Sequence, residues 1–343
     1  MTASVISEPE VAGAREAMAA RLARLEQLDA DMYACADVER ALSDGHLRAL
    51  LDLQQQVLDF APSEEGGRGD LYRRAQQNTL VRSTGIITLI ERAGAGGGDR
   101  LLDVLGGDGL VRRVVATALP AAARPRILTS DLSADMVDIA LAAGAPALLE
   151  AAEELVVRDG SFDAVLVAYG AHHLPRMHRP VVCREAHRAL RSGGRFVLHD
   201  FDQEGAVARW FREVVHEYSR AGHPYDHFTR DESLTLLREA GFADATVDSL
   251  YDPFCVVTDH PDPELALADH LIDMYGLVRL QPVGRERMVA RLADAIFRYE
   301  PAELPAAAPH GPPPEGRIRI TRTDGGWRVE MPRVALVAGG TRA

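Results

Sequence analysis

The run Leu102–Gly109, which reads L-D-V-L-G-G-D-G, is the segment whose residue types most directly predict chemistry. It has the pattern of an apolar strand that ends in glycines, where a backbone without side chains can approach a ligand closely. Asp131 ends the next predicted strand, and a carboxylate at that position can accept hydrogen bonds from both hydroxyls of a ribose. The two features together predict a crevice that binds a nucleoside.

The same glycines argue against a dinucleotide. Gly107 and Gly109 fit the first two glycines of the pattern G-x-G-x-x-G, but Arg112 stands at the third position. A pyrophosphate would therefore be poorly held by this loop. An NAD-dependent oxidoreductase is disfavoured for that reason.

The elements that must position these residues alternate between strands and helices from residue 100 onward. A doubly wound parallel sheet is the arrangement expected from such alternation, which makes this an α/β protein. Strands are predicted at 100–105, 126–130, 162–169, 195–199, 246–257, 317–323 and 327–338. Helices are predicted at 8–60, 70–93, 133–143, 180–191, 229–240 and 262–300, with a loop at 62–69 and a Pro-rich connection at 301–316.

Composition narrows the class of protein. The chain has 38 basic and 51 acidic residues and a net charge of −13, which is unfavourable for binding a nucleic-acid backbone. All of its basic residues are Arg, so Lys Schiff-base chemistry and a P-loop are excluded. The three cysteines, Cys35, Cys183 and Cys255, are too far apart for a disulfide framework or a zinc site. With no signal peptide and no membrane-length apolar run, we expect a soluble cytoplasmic protein that acts on a small molecule and not on a membrane.

Two later segments complete a recognisable order of motifs. Residues 159–175 read D-G-S-F-D-A-V-L-V-A-Y-G-A-H-H-L-P, and residues 188–200 read R-A-L-R-S-G-G-R-F-V-L-H-D. With the glycine loop and Asp131, they make residues 100–202 resemble the class I S-adenosylmethionine methyltransferases, especially quinone C-methyltransferases. The resemblance implies a seven-stranded doubly wound methyltransferase sheet with 246–257 as sixth strand and 327–338 as seventh.

That resemblance also implies a division of the chain. An N-terminal helical cap or dimerisation region would cover 1–93, and an S-adenosylmethionine-binding core would cover 94–258. A helical insertion and linker would follow at 259–316, and a C-terminal hairpin at 317–343 would complete the sheet. We expect the helical cap to allow a homodimer.

The resemblance assigns the donor site residue by residue. Asp103, Gly107 and Gly109 would hold the methionine part, Asp131 the ribose, and Ala151 and Ala152 the adenine. Further residues expected to bind the cofactor are Leu105, Gly106, Leu132 and Tyr169. Two positions depart from the family pattern. Leu105 replaces the first loop glycine, and Ala151 replaces the acid that contacts adenine, so backbone amides or Glu150 and Glu153 would serve instead.

The acceptor side would lie beyond the fourth and fifth strands, where five of the twelve histidines concentrate. Candidates for catalysis are His173, His199, Asp200 and His227. Candidates for binding the acceptor are Arg176, Trp210, Tyr225, Phe228 and Tyr275, with Arg209 as a second cation. The simpler interpretation of His172-His173 is that one caps the strand and the other packs.

A sharper interpretation is a metal site. Positions His172, His173 and His223 resemble those of the 2-oxo acid C-methyltransferases that make β-methyl amino acids for peptide antibiotics. This implies a divalent or ferric ion that would stabilise an enolate for methylation at C3. Two alternatives stay open: an O- or N-methyltransferase of a natural product with His173 or His199 as base, and a non-catalytic methyltransferase-like partner protein.

Overall fold

The computed structural model describes residues 6–56, 69–307 and 312–343, and within them ten strands form two sheets. The strands are β1 Arg100–Val104, β2 Arg126–Asp131, β3 Ala147–Leu149, β4 Phe162–Ala168, β5 Leu190–Asp200, β6 Ala243–Tyr251, β7 Phe254–Thr258, β8 Arg319–Thr323, β9 Gly326–Met331 and β10 Val334–Thr341.

The large sheet has seven strands in the order β3-β2-β1-β4-β5-β10-β6, which confirms the predicted seven-stranded α/β fold. The first five strands run parallel, and β10 lies antiparallel between β5 and β6. From β1 the chain first builds the sheet to one side, through β2 and β3, and then to the other side, through β4 and β5. This switch in order lies between β1 and β4. In sheets of this kind a ligand crevice opens at the carboxyl ends of the strands beside such a reversal.

Helices pack around the sheet. Six of them precede β1 in the described residues, and two more lie between β7 and β8. The helices are α1 Glu8–Leu28, α2 Ala30–Tyr33, α3 Val38–Ala41, α4 Asp44–Gln56, α5 Gly69–Gln76, α6 Ser83–Ala93, α7 Leu110–Ala118, α8 Ala134–Ala142, α9 Arg179–Ala189, α10 Ala206–Trp210, α11 His216–Tyr218, α12 Arg230–Glu239, α13 Pro263–Tyr275 and α14 Arg285–Ile296. A π-helical turn, Phe211–Val215, joins α10 to α11. In the described ranges, no helix has the length and apolarity needed to cross a membrane.

The N-terminal helices are anchored to the edge of the large sheet. Asp37 donates its backbone amide to the Val156 carbonyl at 2.8 Å, and Arg21 pairs with Asp138 on α8 at 2.7 Å. The single helix expected at 70–93 is instead two, because the Asn78 side chain accepts the Leu80 amide in a turn between them. The loop expected at 62–69 lies, apart from Gly69, outside the described residues.

Two predicted strands are wrong in extent because each is interrupted at a proline. The strand expected at 246–257 breaks at Asp252-Pro253, and the strand expected at 327–338 breaks at Pro332-Arg333. Proline lacks the amide needed to continue a strand ladder. At both breaks the chain passes between the large sheet and a small sheet of order β7-β9-β8. The hairpin β8–β9 therefore belongs to the small sheet, and β10 alone completes the large one.

Candidate active site

The crevice at the ends of β1 and β4 is shaped by unusual backbone conformations. Leu105 and Tyr169 follow these strands with backbone φ angles of 59° and 62°. Residues other than glycine rarely adopt such values. Leu105 therefore makes a left-handed turn at the end of β1, a conformation that glycine adopts at less cost. A Cβ on Gly170 would lie 3.5 Å from the Leu105 side chain, so the two strand ends face each other across a narrow gap.

The predicted donor loop approaches the sheet too closely for side chains at its centre. A Cβ on Gly106 would lie 2.5 Å from Oδ2 of Asp103 and 2.7 Å from the Thr129 methyl carbon. Gly107 and Gly109 have φ of 57° and 85°, so both need the freedom of glycine. The loop then leads directly into α7, whose N-cap is Gly109.

Asp131 holds this loop in place. Its Oδ2 accepts the Gly107 amide at 2.8 Å, and its Oδ1 accepts the Ser133 amide at 2.9 Å. Beneath the loop, burial and the nearby charge of Asp131 raise the pKa of Asp103 to about 8. The loop thus rests on two carboxyl groups that come from adjacent strands, β1 and β2.

The predicted adenine region is closed by buried side chains. The side chains of Ala151 and Ala152 are buried, and Glu150 accepts the Val156 amide at 2.6 Å. Glu153 is bound to the ring of His178 at 2.8 Å. Helix α4 reaches this end of the crevice, because Gln54 donates to the carbonyl of Leu132 at 2.8 Å.

The histidines predicted for the acceptor side converge on Asp200 at the end of β5. Its carboxylate accepts the His172 amide at 2.8 Å and lies 2.9 Å from Nδ1 of His172, while Nδ1 of His227 is 3.5 Å away. Burial would raise the pKa of Asp200, but the two histidines hold it well below its usual value. Asp200 therefore acts as a buried anion that orients two imidazoles.

Three of the histidines form a set suited to a metal ion. Ring nitrogens of His172, His173 and His223 all lie within 4.8 Å of one another. Nδ1 of His172 is bound to Asp200, and a metal ion would therefore be held through Nε2, the arrangement usual at histidine-bound metals. A second set, His172, Asp200 and His227, meets the same distance. There the carboxylate is already engaged with His172, which makes that set a hydrogen-bonded network.

Aromatic rings enclose the histidine cluster. The π-helical turn places Phe211 against His223 with ring centres 4.1 Å apart. Tyr225 lies 4.6 Å from His173, and Tyr275 of α13 lies edge-on to Phe211 at 5.3 Å. The insertion helix therefore contributes to the acceptor side, and sequence patterns missed Phe211 because a π turn changes the helical spacing.

Four predicted acceptor residues do not reach this cluster. Arg176 is exposed and pairs with Glu232 at 3.1 Å, and Arg209 is exposed and pairs with Glu213 at 2.9 Å. Phe228 lies in the core under the guanidinium of Arg179, and Trp210 is fully buried against Phe297. Ion pairing and core packing occupy these four side chains in the structure, and their roles in binding the acceptor stay predictions.

His199 and Tyr169 belong to a neighbouring buried group centred on Asp252. The Tyr169 hydroxyl donates to Oδ1 of Asp252 at 3.1 Å, and Nε2 of His199 lies 3.5 Å from Oδ2. The two rings are 4.2 Å apart. His199 is thus outside the cluster around Asp200, and its predicted role as base has no support from its position. The sequence signal for Asp252 is its place before Pro253 at the strand break.

Comparison with known proteins identifies the middle of the chain. Residues 102–198 match the model of a methyltransferase domain. This range contains the glycine loop, Asp131 and the His172-His173 pair, and it ends two residues before Asp200.

Curated relatives cover a larger part of the chain. It is 33% identical over 125 residues to a ubiquinone/menaquinone biosynthesis C-methyltransferase of Rubrivivax gelatinosus, covering 36% of this chain and 46% of that relative. It is 27% identical over 170 residues to the protein of the same name from Rhizobium rhizogenes, covering 42% and 64%. The chain thus spans about half to two thirds of the length of these relatives.

A solved structure is also similar to this chain. Phosphoethanolamine N-methyltransferase 2 of Haemonchus contortus, in complex with S-adenosyl-L-methionine, is 16% identical with a TM-score of 0.46, covering 76% of this chain and 52% of that one.

Proposed function

We propose that this chain, whose residues 102–198 form a class I S-adenosylmethionine-dependent methyltransferase domain, methylates carbon C3 of a 2-oxo acid in natural-product biosynthesis. The observation that carries the proposal is the position of the histidine cluster. His172, His173 and His223 converge beside the end of β4, next to the crevice where the matched domain would hold the methyl donor. Carbon as the acceptor atom agrees with the C-methylation named in the relatives.

The donor would lie along the ends of β1, β2 and β4. The backbone of Gly106, Gly107 and Gly109 would receive its methionine part, and Asp131 its ribose. Ribose hydroxyls can donate to the carboxylate oxygens of Asp131 beside the amides already bound there. The narrow gap between Leu105 and Gly170 would place the sulfonium next to Tyr169.

The acceptor would be oriented by the three histidines through a divalent or ferric ion. When bound, such an ion supplies Lewis-acid polarisation of the keto oxygen and lowers the cost of removing a proton from C3. Asp200 engages Nδ1 of His172, so that Nε2 of this ring would bind the ion together with His173 and His223. Phe211 and Tyr275 would exclude water from the acceptor.

His227 is the best-placed group to take the C3 proton. Both of its ring nitrogens are buried and make no hydrogen bond within the described ranges, and Nδ1 lies 3.5 Å from Asp200. The proton would move from C3 to His227, and the electron pair of that C–H bond would form the new bond to the methyl carbon. The pair of the broken S–CH3 bond stays on sulfur, giving S-adenosylhomocysteine. A carboxylate beside the imidazole stabilises its protonated form.

A screen with labelled S-adenosylmethionine and a panel of 2-oxo acids, with and without chelator, tests the proposal. We expect label transfer to carbon, located by mass spectrometry, and loss of transfer with chelator. Transfer to oxygen or nitrogen would favour the O- or N-methyltransferase alternative. Absence of cofactor binding in calorimetry would favour a non-catalytic partner protein and contradict the proposal.

The metal site has its own test. His223→Ala should remove the bound ion and the activity while leaving affinity for S-adenosylhomocysteine unchanged, because His223 lies on the acceptor side. His187→Ala is the matched control, since His187 packs on Phe242 away from the cluster. Metal content measured by mass spectrometry decides the result. Full activity in metal-free protein would refute a role for the ion.

A further inference from the structure

One histidine of the cluster, His223, is held through its backbone by a histidine outside the cluster. His223 lies beyond the matched domain, in the segment that follows α11. Its backbone amide donates to Nδ1 of His216 at 3.0 Å. An amide N–H can only donate, so the ring nitrogen of His216 is the acceptor. His216 is itself exposed and belongs to neither set of candidate metal ligands.

The chain reaches this hydrogen bond through a left-handed turn at Gly222. Its φ is 72°, a value that glycine adopts easily and other residues rarely do. A Cβ on Gly222 would lie 3.3 Å from Nδ1 and 3.4 Å from Cε1 of His216. The backbone that precedes His223 therefore runs directly against the imidazole of His216.

The π-helical turn explains why two side chains from one helix can contact His223. The His216 amide donates to the carbonyl of Phe211, five residues back. Such bonding brings residues five apart nearly above one another, whereas in an α-helix they lie about 140° apart around the axis. Phe211 stacks on the ring of His223 at 4.1 Å, and His216 binds its amide. Side chain and backbone of His223 are thus both fixed by the same turn.

Other hydrogen bonds anchor the chain between His216 and Gly222. The Ser219 amide donates to the Val215 carbonyl at 2.9 Å, and the Arg279 amide donates to the Tyr218 carbonyl at 2.9 Å. Nη2 of Arg279 also donates to the Arg220 carbonyl at 2.8 Å. These bonds hold the chain as far as Arg220, and the bond from His223 to His216 then fixes the position of the cluster residue itself.

We propose that His216 is a positioning residue, which holds His223 where it can bind a metal ion together with His172 and His173. The inference rests on the proposed function, and it gives His216 no contact with the ion or the acceptor. Groups that orient metal ligands commonly change metal affinity by about 10- to 100-fold. His216 orients the backbone of its ligand and not the ring, so we expect a smaller effect.

Calorimetry with Co²⁺ as the probe, on protein saturated with S-adenosylhomocysteine, tests this role. His216→Phe keeps a flat ring but removes the acceptor, and it should weaken Co²⁺ binding at least about fivefold. His216→Asn places an amide oxygen near the position of Nδ1 and should bind Co²⁺ within about twofold of wild type. Rescue by Asn would show that the acceptor itself matters.

His260→Phe is the matched control. Nδ1 of His260 likewise accepts a backbone amide, that of Asp262 at 3.0 Å, but it lies at the opposite end of α13 from Tyr275. This variant should bind Co²⁺ as wild type does. Equal Co²⁺ affinity in His216→Phe and wild type would overturn the inference. Equal weakening by Phe and Asn at position 216 would overturn it as well, because the acceptor would then have no part.

Affinity for S-adenosylhomocysteine separates positioning from folding. It should be the same in wild type and all three variants, and a loss in His216→Phe would assign His216 to the fold and not to the metal site. Gly222→Ala decides the matter if His216→Phe does not fold, because its added carbon presses on the same ring. It should also weaken Co²⁺ binding at least about fivefold, and unchanged binding would contradict the inference.

Two further outcomes distinguish this inference from the proposed function. If wild type binds S-adenosylhomocysteine but no Co²⁺, the metal site of the proposed function is wrong and the role of His216 falls with it. If Co²⁺ binding depends on His216 as expected while no 2-oxo acid is methylated, the acceptor class is wrong and the role of His216 stands.

Discussion

At the scale of single residues, two non-glycine positions define the crevice. Leu105 and Tyr169 both adopt left-handed backbone conformations, each at a cost of about 1–3 kcal/mol relative to an unstrained residue. Such conformations persist only where surrounding contacts enforce them. Here they turn the ends of β1 and β4 toward each other, at the place where the matched domain would hold the transferred methyl group.

Asp131 carries the first prediction at this scale. Asp131→Ala should weaken S-adenosylhomocysteine binding by about 1–3 kcal/mol, because the ribose hydroxyls would lose a charged acceptor. Calorimetry measures the change, and Asp135→Ala, an exposed acid on the neighbouring helix, is the control. Unchanged affinity in Asp131→Ala would remove this residue from the donor site.

Glu150 carries a prediction about pH. Burial raises its pKa to about 8 from 4.5, so the folded protein keeps a proton that the unfolded chain loses between these values. Its contribution to stability is complete below pH 4.5 and is lost as the pH rises to about 8. The free energy of unfolding should fall by about 1.4 kcal/mol per pH unit across that window from this group alone.

Glu150→Gln removes that dependence while it preserves an oxygen for the Val156 amide. The melting temperature of the ligand-free variant should therefore fall less than that of wild type between pH 5 and pH 8. Asp103 shifts in the same direction and is present in both proteins, so it does not affect the comparison. Parallel melting curves for the two proteins would show that Glu150 ionises normally.

At the scale of elements, helix α6 passes very close to the buried group centred on Asp252. A Cβ on Gly85 would lie 1.9 Å from Oδ1 of Asp252 and 2.6 Å from the Tyr169 hydroxyl. The helix therefore depends on a glycine in its interior, although glycine weakens helices. The close approach keeps Arg82, just before the start of α6, beside the ring of Tyr169.

This approach predicts opposite effects for two glycine substitutions. Gly85→Ala should destabilise the protein by about 1–3 kcal/mol, because the new methyl group overlaps buried polar atoms. Gly13→Ala, in α1 with nothing within 4 Å of the added carbon, should stabilise it by about 0.5–1 kcal/mol. Urea denaturation measures both changes. Equal effects at the two positions would mean that α6 does not pack as described.

At the scale of the whole molecule, a buried ion pair lies where the chain crosses between the two sheets. Asp252 lies between β6 and β7, and Arg333 lies between β9 and β10, so each marks a crossing between sheets. Their backbones also bond, with the Asp252 amide donating to the Arg333 carbonyl at 2.9 Å. The pair fixes the start of the small sheet against the large one, and the guanidinium of Arg333 also lies over the ring of Phe254 in β7.

Removing one partner of the Asp252–Arg333 pair should lower the free energy of unfolding. Arg333→Met should destabilise the protein by about 3–5 kcal/mol, because it leaves the charge of Asp252 buried with less compensation. The double variant Arg333→Met with Asp252→Asn should lose less free energy of unfolding than the two single variants lose together. Denaturation of wild type, both single variants and the double variant measures this. Arg298→Met, which breaks an exposed pair with Asp294, should cost less than about 1 kcal/mol. Additive losses would contradict coupling between the two residues.

Much of this protein was determined by local sequence. The glycine loop, the end of β2 at Asp131 and the apolar strand β4 follow from short-range patterns, because strands and tight turns leave residue-by-residue signatures. The seven-stranded sheet and the concentration of histidines after β4 and β5 were predictable on the same grounds. Where local rules failed, at Pro253 and Pro332, a proline interrupted a strand that the surrounding residues otherwise favoured.

Only the tertiary structure decided which distant residues meet. The rings of His172 and Phe211 both contact His223, and Phe211 lies in the π-helical turn. The guanidinium of Arg82 lies over the ring of Tyr169, next to the glycine that lets α6 approach closely. Contacts across long separations depend on how elements pack, and an arginine carries no local sign of whether it will be exposed or buried. The predicted cations Arg176 and Arg209 form surface ion pairs, whereas Arg82 is buried against the ring of Tyr169.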